Sequence, residues 1–303
     1  MSVKAISQKT LGGPDVLETV EVPAPRPGTG EVLVRVAATS VNAADWKLRA
    51  GVVDKLGPPP FTLGLDVSGT VTEVGADVTR FRVGDEVYGM VLSRSGAYAE
   101  YTAAPADFLD HKPSSIDHVH AAALPTAALT AVQALREVRA GQRVLVHAAA
   151  GGVGHLAVQA AKARGAYVLG TARAVNHDFL RALGIDEVID YTTTDFTTVA
   201  TDLDVVFDLV GGEYGPRSLS VLRPNGRLID AQREDALTDP RFHRHFVTPS
   251  GEGLREVSEL VRRGQLRVHI ERVLPMADAA AALDLSESGR VRGKIVLIPW
   301  DAA

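Results

Sequence analysis

The sequence predicts an α/β protein in two parts, a doubly wound parallel sheet and a smaller antiparallel, barrel-like domain. Three observations predict it. From residue 143 onward, strand-like runs alternate with helix-like runs. The first third instead holds short β-branched runs between turn residues. One strand also leads straight into Gly151, Gly152 and Gly154, which open a helix.

Composition bounds the answer. The chain has 303 residues, enough for about two domains with cores of their own. It contains no cysteine, which excludes disulfides, thiolate zinc sites, iron–sulfur clusters and a cysteine nucleophile. A net charge of -5 argues against coating nucleic acid or an anionic membrane. No apolar run is long enough to span a bilayer. MSVKAISQKT has no apolar stretch after its lysine, so no secretory leader is expected, and a cytoplasmic protein is the default.

In chain order, EVLVRVAATSV (31–41), LDVSGTVTEVG (65–75), VGDEVYGMV (83–91) and GAYAEYTAAP (96–105) read as strands. Pro58-Pro59-Pro60 is a rigid turn. The alanine-rich segment 116–138 is helical, interrupted at Pro125. Strands at 143–149, 166–172, 186–191, 204–211 and 226–231 alternate with helices at 152–165 and 177–184, which implies a parallel sheet. Residues 251–266 form an amphipathic helix ended by Gly264, and HIERVLPM and GKIVLIP return to strand. The expected domains are 1–120 with 267–303, around an inserted 121–266.

The most informative segment is VLVHAAAGGVGHLAVQAAKARGAYVLGTAR. Glycines allow a tight strand-to-helix turn and close approach of backbone to a pyrophosphate. The helix N-terminus then supplies free N–H groups and the positive dipole end. Ala149 stands where the usual fingerprint has its first glycine. Sites for NAD place an acid after the second strand, on the ribose 2′-OH. This chain has Gly170-Thr171-Ala172-Arg173 there, and Arg173 suits a 2′-phosphate, so NADP(H) is favoured. Tyr191, ending the third strand, is a second candidate for that phosphate. DLVGG (208–212) places Val210, Gly211 and Gly212 at a strand C-terminus facing the nicotinamide, with Asp208 a candidate turn cap.

VHAAAGGVG, VIDY, DLVGG and GKIVL, with GPDVLE, NAADWKLRAG (42–51), LGLDVSGTV (63–71), GDEVYG (84–89), GAYAEY and AALPTAALTA, resemble the medium-chain dehydrogenase/reductase superfamily. Within it the chain is most similar to zinc-free quinone oxidoreductases and enone reductases. The resemblance implies a GroES-like domain interrupted by a Rossmann domain, the tail returning to the first. It places nicotinamide contacts on Asn42, Thr126 and Thr130, phosphate contacts on Gly152, Val153 and Gly154, and 2′-phosphate contacts on Thr171, Arg173 and Tyr191. Lys294 is typical of the family. Zinc-dependent members carry an early cysteine and a Gly-His-Glu where this chain has Gly64-Leu65-Asp66, so no metal is expected. Where quinone oxidoreductases often have a tyrosine after the asparagine, this chain has Asp45-Trp46-Lys47. The short, charged segment 230–246 keeps the family's substrate lid from being carried over.

The activity implied is hydride transfer from NADPH to a small electrophile, a quinone, enone or enal. Asn42 and Lys47 are the candidate donors to the developing anion, with Asp45 orienting Lys47. Two rivals remain: an enoyl-thioester reductase, for which Arg233, Arg241 and Arg244 would line a basic mouth, and a non-catalytic NADPH-binding protein. RFHRHFVTPS is an edge-strand candidate through which a homodimer is expected.

Overall fold

The computed structural model describes residues 2–232 and 237–300. The chain divides into two compact units, one of Met1–Leu129, Pro249–Arg262 and Val268–Ala303, the other of Thr130–Thr248 with Arg263–Arg267.

The first unit begins with β1 (Ser2–Gln8), β2 (Leu17–Pro23), β3 (Glu31–Ser40), α1 (Ala43–Arg49), β4 (Phe61–Thr62) and β5 (Asp66–Val74). It continues with β6 (Glu86–Met90), β7 (Tyr101–Pro105), β8 (Leu109–His111), α2 (His118–Ala122) and α3 (Pro125–Ala134). Pro125 opens α3, where its missing N–H costs nothing. Strands β3, β5, β6, β7 and β8 pair antiparallel, as the short β-branched runs predict.

The second unit contains β9 (Arg143–Val146), α4 (Gly154–Ala163), β10 (Tyr167–Thr171), α5 (His177–Ala182), β11 (Glu187–Ile189), β12 (Leu203–Asp208), α6 (Tyr214–Val221), β13 (Leu222–Asp230) and β14 (Phe242–Arg244). All six strands are parallel, in the order β11-β10-β9-β12-β13-β14. The chain leaves β9 in one direction and returns beside it at β12. The carboxyl ends of β9 and β12 therefore flank the point where the winding reverses, which is where such sheets bind ligands. Val144, Leu145 and Val146 are wholly buried, as a central parallel strand covered on both faces requires.

The last elements are α7 (Gly251–Arg262), β15 (Ile270–Pro275), α8 (Ala279–Glu287) and β16 (Lys294–Ile298). β16 lies antiparallel to β3, so the tail does return to the first unit. The boundaries differ from the expected 120/121 and 266/267. α7 groups with the first unit because Leu254 and Val257 are buried there and the Tyr88 hydroxyl donates to Leu254 O at 2.8 Å. The helix of residues 125–134 also starts in the first unit.

Candidate active site

The glycine bend of the second unit is shaped by what cannot fit. A Cβ on Gly154 would lie 2.2 Å from the Ala148 carbonyl oxygen and 2.8 Å from Ala149 Cα, so only glycine lets α4 start against the loop. Gly151 is less constrained, its nearest contact being 3.3 Å. Ala149, in place of the first fingerprint glycine, finds its room across the sheet. A Cβ on Gly170 of β10 would meet the Ala149 methyl at 2.7 Å, so the missing glycine is compensated by one on the neighbouring strand. Ala149 N–H donates to Thr171 O at 3.0 Å and fixes the bend on β10. The N–H groups of Gly152 and Val153 have no partner among the described residues and precede the N-terminus of α4. Unpaired amides at a helix start are what a pyrophosphate needs.

Beneath the bend lies His147, wholly buried. Its Nδ1 is 3.1 Å from Thr171 Oγ1 and its Nε2 is 3.0 Å from Ser218 Oγ. Phe196 and Tyr214 pack edge-on to its ring at 4.7 and 4.8 Å. Burial, reinforced by Arg217, drives its pKa to about 3, so the imidazole stays neutral. Thr171 Oγ1 also accepts from Ala148 N–H at 3.3 Å. Thr171 was expected to contact the 2′-phosphate. Its hydroxyl instead turns into the core, where the strand's alternation puts it, and braces the bend.

Arg173 follows β10, partly exposed, and its guanidinium has no ion-pair partner among the described residues. Tyr191, 46% exposed, follows the adjacent strand β11. In this unit Asp190 is not among the residues expected from the sequence. Asp190, at the end of β11, accepts from Ala174 N–H at 3.2 Å, so an acid does stand beside the turn after β10. The Thr192 hydroxyl and N–H hold its carboxyl below the usual range. The signal lies in VIDY, one strand beyond the end of β10 where the fingerprint places its acid. Asp208 caps the turn after β12, its Oδ1 accepting from Val210 N–H at 2.8 Å and Gly211 N–H at 3.1 Å. Val210 is 44% exposed. Of the three arginines considered for a basic mouth, Arg241 is tied by two bonds to Asp239, Arg244 lies on β14, and Arg233 falls outside the described residues.

The first unit holds a different kind of site, a buried polar cluster centred on Asp66. Its Oδ2 accepts from Ser40 Oγ at 2.6 Å and Asn42 Nδ2 at 2.8 Å. Its Oδ1 accepts from Thr126 N–H at 2.8 Å and Thr126 Oγ1 at 2.7 Å. Lys294, delivered by β16, donates to Val41 O at 2.8 Å and Asn42 Oδ1 at 2.5 Å, with its Nζ 3.8 Å from Asp66 Oδ2. Asp66 and Lys294 are 0% and 3% exposed, so this is a buried ion pair with its remaining valences satisfied by hydrogen bonds. Burial lowers the Lys294 pKa, while Asp66 and Asp45 oppose that.

Asn42 is the N-cap of α1 and Asp45 its N3 residue, whose Oδ2 accepts from Asn42 N–H at 2.8 Å. Gly64, at a positive φ of 103°, aims its N–H at Asp45 Oδ1 from 3.3 Å; a Cβ there would strike Tyr98 at 2.5 Å. Asp45 is wholly buried. Burial first, and then the charge of Asp66, raise its pKa to about 7 against the pull of the Asn42 N–H. The Tyr98 phenol, buried beside both carboxyls, is raised well above its usual range, chiefly by burial. The expectation that Asp45 orients Lys47 is corrected: the two are separated by two positions on a helix and point to different faces. Asp45 turns inward, while the half-buried Lys47 lies 5.6 Å from the Trp46 ring centroid. Thr126 and Thr130, 8% and 7% exposed, share a face of α3.

Zinc does not fit these residues. Asp66 is surrounded by donors, an ammonium among them, and among the described residues no three His, Asp or Glu side chains group as metal ligands. A dinucleotide does fit the bend, which offers the Gly152 and Val153 amides, unpaired among the described residues, at a helix start.

Two family models match, one described as an alcohol dehydrogenase GroES-like domain over residues 28–114 and one as a zinc-binding dehydrogenase over 183–297. A chloroplastic quinone oxidoreductase, QR1, of Triphysaria versicolor is 35% identical over 95% of both chains. A chloroplastic NADPH-dependent alkenal/one oxidoreductase of Arabidopsis thaliana is 34% identical over 98% of this chain and 80% of its own. The structure of the quinone oxidoreductase from Coxiella burnetii superposes with a TM-score of 0.94 at 38% identity, over 98% of this chain and 99% of that one. The chain is thus an NAD(P)H oxidoreductase. It belongs to the medium-chain dehydrogenase/reductase superfamily, among its zinc-free quinone oxidoreductase-like members.

Proposed function

We propose that the protein is an NADPH-dependent reductase of quinones or of the activated C=C of α,β-unsaturated carbonyls, working without a metal. The observation that carries the cofactor preference is that Arg173, two residues after Thr171 on β10, has no ion-pair partner among the described residues, while exposed Tyr191 stands two residues after Ile189 on the paired strand β11. Similarity to quinone and alkenal/one oxidoreductases supports the substrate class.

NADP(H), when bound, supplies the hydride. The amides of Gly152, Val153 and Gly154 and the dipole of α4 hold its pyrophosphate, while Gly151, whose N–H donates to Ala148 O at 2.9 Å, closes the turn beneath it. Arg173, with Tyr191, holds the 2′-phosphate through charge-assisted hydrogen bonds. Asn42, Thr126, Thr130, Val210 and Gly211 are assigned to the nicotinamide side. Thr171 acts through the bend it braces rather than by direct contact. Lys47 and Asn42 are assigned as donors that stabilise the oxygen on which negative charge develops. Asp45 stabilises the start of α1 and so keeps Asn42 in place. A quinone or enone asks no more of such a site than donors for an oxyanion and a proton from water.

The test is the oxidation of NADPH and NADH, followed by reduced-nicotinamide absorbance, against quinones, enals, enones and enoyl thioesters. Turnover of quinones or enones with NADPH preferred supports the proposal. Turnover confined to enoyl thioesters replaces the substrate class, and binding of NADPH with no oxidation overturns the enzyme reading. We also propose a homodimer formed through β14, the last strand of the parallel sheet; light scattering that gives the monomer mass would refute it.

A further inference from the structure

We infer that the Asp66–Lys294 pair clamps the Asn42 side chain so that it presents a single N–H donor, which makes Asp66 and Lys294 positioning residues and an acceptor oxygen the atom Asn42 takes. This rests on the reductase reading above.

A primary amide has one acceptor oxygen and two N–H donors. An ammonium can only donate, so the Asn42 atom 2.5 Å from Lys294 Nζ is its oxygen. An ionised carboxylate can only accept, so the atom 2.8 Å from Asp66 Oδ2 is its nitrogen. Both ends are thereby oriented, and the amide cannot flip without setting donor against donor at Lys294 and acceptor against acceptor at Asp66. One N–H of Asn42 remains without a partner among the described residues. Lys294 also polarises the amide, drawing electron density toward the oxygen and strengthening that N–H. Asp66 fixes Thr126 through the same carboxylate, so one buried charge sets two residues on different helices. The oxygen's two lone pairs face Lys294 and the Asp45 N–H of the capping box, so the group keeps one donor and no free acceptor; it binds carbonyl or oxyanion oxygen and rejects hydroxyl and amine donors. Two oxygens meet that description, the carboxamide oxygen of the nicotinamide and the substrate oxygen on which charge develops.

Removing one member of the pair strands a buried charge, so the informative variant is the neutral double, Asp66→Asn with Lys294→Met, made beside Asn42→Asp and Asn42→Leu. Thermal unfolding confirms that each variant tested is folded. Three quantities are read: affinity for 2′,5′-ADP, which lacks the nicotinamide; affinity for NADPH by its fluorescence; and kcat. The clamp predicts wild-type 2′,5′-ADP affinity in every variant. A kcat reduced at least ten-fold with NADPH affinity kept within three-fold identifies the substrate oxygen. NADPH affinity reduced at least ten-fold identifies the carboxamide oxygen. A folded double variant with wild-type NADPH affinity and kcat overturns the clamp, as does loss of 2′,5′-ADP binding. If the wild type binds NADPH but oxidises it with no acceptor, the reductase reading fails; the clamp is then judged on NADPH affinity alone, and an unchanged affinity in the double variant overturns it.

Discussion

The two sites are built on opposite principles. In the second unit, the glycine bend is a backbone site: its groups are amides, its shape comes from missing side chains, and its charge is the dipole of α4, with Arg173 proposed to add to it. In the first unit, the Asp66 cluster is a side-chain site: two carboxylates and one ammonium lie buried together and are held by hydrogen bonds. A backbone site should be sensitive to volume and indifferent to pH. A charged cluster should be sensitive to charge balance and to protonation.

The largest expected effect follows from charge. Lys294→Met leaves Asp66 buried without a counter-charge, which should cost about 3–5 kcal/mol of stability in urea unfolding. Asp66→Asn made in addition should recover most of that loss. If the single variant is as stable as the wild type, the cluster is not balanced as described.

Asp45 gives the pH counterpart. Its folded-state pKa, about 7, lies above the ordinary 3.8, so between those values the folded protein keeps a proton that the unfolded chain has lost. Stability should therefore fall as pH rises through that window and level off above it. The slope from this single group is about 1.4 kcal/mol per pH unit. Asp45→Asn should flatten the curve by that amount, and parallel curves for variant and wild type would show that Asp45 does not titrate there.

Predictions for the second unit are smaller. Arg173→Ala should raise the KM for NADPH by roughly ten- to a hundred-fold, equivalent to about 1.5–3 kcal/mol, and leave NADH nearly unaffected. Equal losses with both cofactors would move Arg173 away from the 2′-phosphate. Gly154→Ala must displace backbone and should weaken NADPH binding by about 1–3 kcal/mol. Gly151→Ala, with its nearest contact at 3.3 Å, should cost less than about 1 kcal/mol. Indistinguishable titrations for the two alanines would break the contrast between required and tolerated glycines.

The same contrast explains what was legible in the sequence. Backbone features leave local signals, and the parallel strands, the bend and the helix break at Pro125 could be read directly. α6 was missed because YGPRSLSV puts Gly215, Pro216 and two serines into a helix, a sequence of poor intrinsic propensity stabilised by tertiary packing. α8 was missed although its alanine run signals a helix, because strand character on either side drew the reading. At the candidate site, the glycines and Arg173 could be proposed from the sequence pattern, and Asn42 from the family resemblance. The cluster was not, since Ser40, Asp66, Thr126 and Lys294 converge from distant parts of the chain. Nothing local marks Asp45 as buried rather than paired with Lys47, although Asn42 three residues before it is a capping signal that places it on a helix.

The most direct test of the account is the rate of NADPH oxidation with a naphthoquinone and with an enone as acceptors, before and after exhaustive treatment with a metal chelator. Turnover is expected with at least one acceptor, at a rate the chelator leaves unchanged. A rate abolished by the chelator and restored by zinc would contradict it.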